Sequence, residues 1–129
     1  MAMIVSITLT NLNENQVIYK GLAEMENISN GRKIYFKDKT HTYTWNIYDK
    51  GMALRSLSEV DVHLTFKEKA KTKGHIESPY GIMDVSCQTY IYKPQLNRVE
   101  LQYDLIMDQN IQPFHFILEI EQESLHEIH

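Results

Sequence analysis

The sequence predicts an all-β fold, an antiparallel up-and-down barrel of about eight to ten strands around one core. Three observations carry that expectation. Apolar residues recur at every second position over long stretches. Turn-forming residues punctuate the chain at short intervals. The aromatic set is dominated by eight Tyr, against four Phe and one Trp, and tyrosine suits a pleated, half-buried surface with its hydroxyl at the rim.

Taken in order, "MIVSITL" places Met3, Val5, Ile7 and Leu9 on one strand face. "HTYTWNIY" sets Tyr43, Trp45 and Ile47 against Thr42, Thr44 and Asn46. In "GMALRSL", Met52, Leu54 and Ser56 oppose Gly51, Ala53 and Arg55. "VDVHLTF" alternates Val60, Val62, Leu64 and Phe66 with Asp61, His63 and Thr65. "HIESPYGIMDVSCQTYIYKP" turns at Pro79-Tyr80-Gly81 and then runs Met83, Val85, Cys87, Thr89 and Ile91 along one face. "RVELQYDLIM" offers Val99, Leu101, Tyr103, Leu105 and Met107, and "FHFILEI" offers Phe114, Phe116, Leu118 and Ile120. Such alternation puts one set in a core and the other in water. The final "LEIEQESLHEIH" begins as a strand and is the closest approach to a helix.

Turns are expected at Asn11 to Asn15, Asn30-Gly31, Asp49 to Gly51, Lys73-Gly74, Pro94 to Asn97 and Asp108 to Asn110. Gly and Asn tolerate the positive φ that tight hairpins need. The connections are too short for parallel crossovers. Closure into a barrel removes exposed strand edges, although a two-sheet sandwich meets the same periodicity.

A chain of 129 residues forms one domain, taken as residues 1–129, large enough for a core without disulfides or metal. The net charge of −4 argues against nucleic acid as a partner and gives no attraction to an anionic membrane. No run of about eighteen apolar residues is present, so no membrane-spanning helix is expected. The start lacks a basic leader, and a single Cys forms no internal disulfide, so the expected compartment is the cytoplasm.

No motif names a reaction. Cys87 lies on an apolar face, where a thiol has a raised pKa and packs rather than reacts. Lys67, Lys69, Lys71 and Lys73 would line one face of a continued strand, like a phosphate-tracking ladder, but they continue a solvent face and fall partly in a turn. The six His show no zinc spacing, with "HEIH" at the terminus their nearest approach, so neither metal nor cofactor is expected. No catalytic residue is assigned. Arg55, beside an apolar run, either enters the barrel mouth or lies outside on the wall.

The ordered pieces "IYFKD", "LRS", "LTF", "SPYGIMDVSCQT" and "LQYDL" resemble the YwiB-like family of small bacterial proteins of unknown function. The resemblance runs from about Ile4 to Glu121. It rests on Phe36, Asp38, Arg55, Phe66, Pro79, Tyr80, Gly81, Thr89, Tyr103 and Leu105. Where the family motif tends to place a glycine soon after the arginine, this chain has Ser56 and Leu57. The resemblance implies a calycin-like, lipocalin-type barrel and no assigned reaction.

Three readings follow. In the first, the interior holds a small apolar or amphipathic ligand, touched by Tyr43, Trp45, Arg55, Leu64, Phe66, Met83, Leu101, Tyr103 and Phe116. In the second, the barrel is filled by its own side chains and self-associates, as a homodimer, through outward Tyr48, Ile82, Tyr90, Tyr92 and Ile106. An enzyme using Asp38, His41 or Arg55 ranks last, because no spacing demands one.

Overall fold

A computed structural model describes residues 2–122, with side chains to residue 121. The described chain forms ten strands: β1 (Ala2–Asn11), β2 (Gln16–Ile28), β3 (Gly31–Lys37), β4 (Thr42–Tyr48), β5 (Gly51–Leu57), β6 (Asp61–Lys67), β7 (Lys71–Ser78), β8 (Gly81–Pro94), β9 (Arg98–Met107) and β10 (Asn110–Gln122). Each pairs antiparallel with its sequence neighbour, and β1 pairs with β10 to close the barrel. The up-and-down barrel is therefore the fold, and the sandwich alternative falls away. No helix among the described residues is long and apolar enough to cross a membrane. The second half of the terminal "LEIEQESLHEIH" lies outside the described residues, as do His126 and His129.

The alternation read from the sequence sets the walls. Val5, Ile7 and Leu9, then Trp45 and Ile47, Leu64 and Phe66, Val99, Leu101 and Tyr103 all bury into one core. Four of the turns hold a non-glycine residue at positive φ, at Asn15, Asn30, Lys69 and Asp108. Lys69 sits at the β6–β7 turn, so the lysine series is broken by a hairpin and is no continuous ladder.

Two expectations about strand geometry are corrected. Lys73-Gly74 is no turn; both residues lie within β7. A Cβ on Gly74 would come to 2.4 Å from the His63 carbonyl, so the glycine permits close strand approach. In β8 the register slips between Thr89 and Ile91. This bulge at Tyr90 reverses the facing of everything after it. Tyr92 consequently points inward, 3% exposed, instead of outward, and Ile91 gives up its expected place on the core face.

The turns fall alternately at two ends of the barrel. One end carries the β2–β3, β4–β5, β6–β7 and β8–β9 turns and is stitched shut. The Tyr92 hydroxyl donates in a shared bond to the carbonyls of Tyr48 and Gly51, the latter at 2.9 Å. Arg32 donates from both terminal nitrogens to the carbonyls of Gln95, at 2.5 Å, and Leu96, at 2.6 Å. The β6–β7 turn is tied to the β8 bulge by Lys69 N–H to Thr89 O, at 3.0 Å, and Thr89 N–H to Ala70 O, at 3.1 Å. Two side chains and a turn thus satisfy backbone groups that strand pairing leaves unused.

Candidate functional site

The opposite end, carrying the β1–β2, β3–β4, β5–β6, β7–β8 and β9–β10 turns, is tied between the β1–β2 turn and β10 by Leu12 N–H to His115 O, at 2.8 Å, and Asn13 Nδ2 to Pro113 O, at 3.4 Å. It opens into a cavity of about 270 Å³ with an almost wholly apolar lining. Leu9, Ile18, Val62, Ile76, Leu105 and Phe114 form its walls, and Trp45, Leu54, Leu64 and Tyr103 lie deeper. Ile18 reaches it because β2 bulges opposite Leu9 and Thr10. A larger hollow, about 610 Å³, is a mixed polar groove bordered by Thr8, Lys20, Asn97, Glu119 and Glu121.

Three residues of the cavity lining carry side-chain hydroxyls. Tyr103, 4% exposed, lines the cavity and packs against Phe66 at 4.5 Å and Phe114 at 5.3 Å between ring centroids. Its hydroxyl has no hydrogen-bond partner among the described residues, and burial, with the Cys87 thiol nearby, pushes it well above the usual tyrosine range. Tyr43 and Ser56 supply the other two. Burial, and then the Asp38 carboxylate, raises the Tyr43 hydroxyl.

One side of the mouth is closed by rings instead of backbone. Pairing of β2 with β3 runs only from Glu24↔Tyr35 to Ile28↔Gly31, so the first half of β2 parts from its neighbour. Tyr19 fills the gap against Phe36 at 4.8 Å, Phe36 stacks on Tyr43 at 4.8 Å, and His41 stacks on Tyr43 at 5.6 Å. The β3–β4 turn that carries His41 is held by Asp38, which accepts from the backbone N–H groups of Thr40 and His41 at 2.8 Å each. Those bonds hold the Asp38 carboxyl below its ordinary value.

The interior residues named from sequence divide into three groups. Tyr43, Trp45, Leu64, Tyr103 and Phe116 line the cavity. Phe66 and Leu101 are buried inside the barrel but packed in its core, away from the lining. Met83 and Arg55 are corrections. Met83, on the face of Val85 and Cys87, lies near the β7–β8 hairpin tip and is 46% exposed. Arg55 stands on the outer wall, its guanidinium forked onto Asp61 by bonds of 3.0 and 2.8 Å. In β5 it is Met52 and Leu54 that bury. Neither Arg55 nor Asp38 lines the cavity.

Alternation had placed Leu9, Leu54, Val62 and Leu105 on inward faces, but it does not tell which end of a strand stays unfilled. Ile18 had no such signal, since a bulge delivers it. Cys87 is fully buried, and burial pushes its thiol up to about 12, the state of a packing residue.

Comparison with known proteins adds the lineage. Residues 11–120 match the family described as "Domain of unknown function (DUF1934)". The chain belongs to that family. No curated protein matches it. Among solved structures, the ywiB protein from Bacillus subtilis is similar at 13% identity, over 95% of this chain and 91% of that one, with a TM-score of 0.68. For this member of the DUF1934 family, that likeness supports the fold alone.

Proposed function

We propose that the barrel binds one small apolar or amphipathic molecule at its open mouth. The carrying observation is the apolar cavity of about 270 Å³, lined in part by Tyr103, whose hydroxyl has no hydrogen-bond partner among the described residues. Ligand sites combine apolar walls with few polar groups that orient the guest. Scaling from the ~150 Å³ cavity that holds benzene, this one suits roughly ten non-hydrogen atoms. A short acyl chain or a single ring with one hydrogen-bonding group fits that description. The calycin-like architecture, which elsewhere accommodates one small guest in a barrel of this kind, favours the same reading.

Trp45 is the chain's single tryptophan and lines the cavity, so its emission reports on occupancy. Titration with medium-chain alcohols, short-chain fatty acids and phenols is expected to change Trp45 fluorescence saturably, with one molecule per chain in native mass spectrometry. Ile76→Phe, which fills the mouth, should abolish the change. A linear, unsaturable response, or saturation untouched by Ile76→Phe, would sink the proposal.

Self-association has a specific observation of its own. Around the mouth, Tyr80 is 99% exposed, Ile82 69%, Ile111 62% and Val17 53%, and apolar residues gathered at one end favour a contact there. Light scattering across a hundredfold concentration range tests it. A mass equal to one chain throughout would end that reading.

A further inference from the structure

We infer that the outer face of β6 and β7 carries a site for a divalent transition-metal ion, built from His63, His75 and Glu77. The two histidines are direct cross-strand partners, and Asp61 is the partner of Glu77 one step along the same face. The imidazole rings stack with centroids 4.6 Å apart at 19°. One donor atom from each of His63, His75 and Glu77 lies within 4.8 Å of the other two. A Zn²⁺ ion held at about 2.0–2.2 Å draws its donors to within about 4 Å of one another. The closing movement is therefore a side-chain rotation.

The support behind these ligands is already in place. Asp61 Oδ1 lies 3.0 Å from Nε2 of His63 and is itself clamped by the forked guanidinium of Arg55. A metal-binding histidine characteristically has one ring nitrogen held by a carboxylate, which fixes the ring and raises its basicity as a ligand. On β7, Nε2 of His75 is 3.7 Å from the Glu77 carboxylate. Two imidazoles and one carboxylate suit Zn²⁺, Co²⁺, Ni²⁺ or Cu²⁺ over Mg²⁺ or Ca²⁺, which prefer all-oxygen shells. Solvent completes the coordination, because His63 and His75 are only half-buried.

The test is calorimetric titration of the tag-free chain with ZnCl₂, in a His126→Ala, His129→Ala background that removes the terminal histidines. One saturable site is expected, unresponsive to MgCl₂. His63→Ala and His75→Ala should each weaken it at least ~10-fold, and Asp61→Asn by ~10-fold through loss of outer support. His75→Gln keeps a polar side chain at that position, and an unchanged Trp45 emission spectrum verifies the fold of every variant. Absence of a saturable site, or one that survives His63→Ala and His75→Gln unweakened, overturns the inference.

Discussion

The two ends of the barrel use the same strands to opposite effect. At the stitched end, Tyr92 and Arg32 donate to turn carbonyls, and Tyr92 is buried in the interior. At the mouth, the β2–β3 ladder gives way to a stack of rings and a cavity remains. Closure alone therefore does not fill a barrel. Among the described residues, the side chains that bond to carbonyls beyond their own turn are long at the stitched end, Tyr92 and Arg32, and short at the mouth, where Asn13 reaches the Pro113 carbonyl.

The same substitution at the two ends should separate them most clearly. Ile34→Ala, at a fully buried position near the stitched end, is expected to lower the unfolding free energy by about 2–5 kcal/mol. Ile76→Ala, on the wall of an existing cavity, should lower it by only about 1 kcal/mol, because less packing is lost. Urea denaturation measures both, and equal losses would erase the contrast.

Alkaline pH probes the floor between the ends. In the folded chain the Cys87 thiol stays protonated up to about 12, against an ordinary value of 9.0. Its contribution is therefore complete below pH 9 and disappears as pH rises from 9 to about 12. Within that window stability should fall by about 1.4 kcal/mol per pH unit from this group. Tyr103 and Tyr92 shift in the same direction. Cys87→Ala should flatten the decline just above pH 9; an identical slope in the variant would remove the thiol from the account.

Tyr92→Phe leaves the ring and deletes the hydroxyl that caps Tyr48 and Gly51. A loss of about 1 kcal/mol is expected, with faster amide exchange confined to the β4–β5 turn and its surroundings. Smallest in stability is Ile76→Phe, expected to change it by less than about 1 kcal/mol, since the added ring enters space already present. A larger destabilisation would mean the mouth is as tightly packed as the other end.

The walls were readable in the sequence because their period is two, and wherever the ladder is regular the inward parity came out correctly, although Met3 and Met83 stay exposed towards their strand ends. Tyr92 did not, since one extra residue at Tyr90 inverts the parity and nothing in "QTYIYKP" announces it. The first half of β2 gave no clean alternation either, for it bulges at Ile18 and pairs with β1 alone. Period also says nothing about position along the axis, so Phe66 and Leu101 were grouped with cavity residues although they belong to the core. The pairing of His63 with His75 follows from the hairpin centred on Lys69, which stands equidistant from both. Placing that turn at Lys73-Gly74 hid it.

The order of the strands has a kinetic corollary. Every neighbour pair is formed between consecutive segments except one, where Val5 meets Gln122 and Asn11 meets Phe116. Hairpins can assemble one after another with small losses of chain freedom, whereas the last union encircles more than a hundred residues. Bringing such distant ends together costs about 4 kcal/mol beyond the constant for loop formation, and long-range pairing of this kind slows folding. The rate at which this protein acquires its native form should therefore track the quality of that single junction, and changes at Ile7 or Ile120 should slow refolding more than equal damage within any internal hairpin.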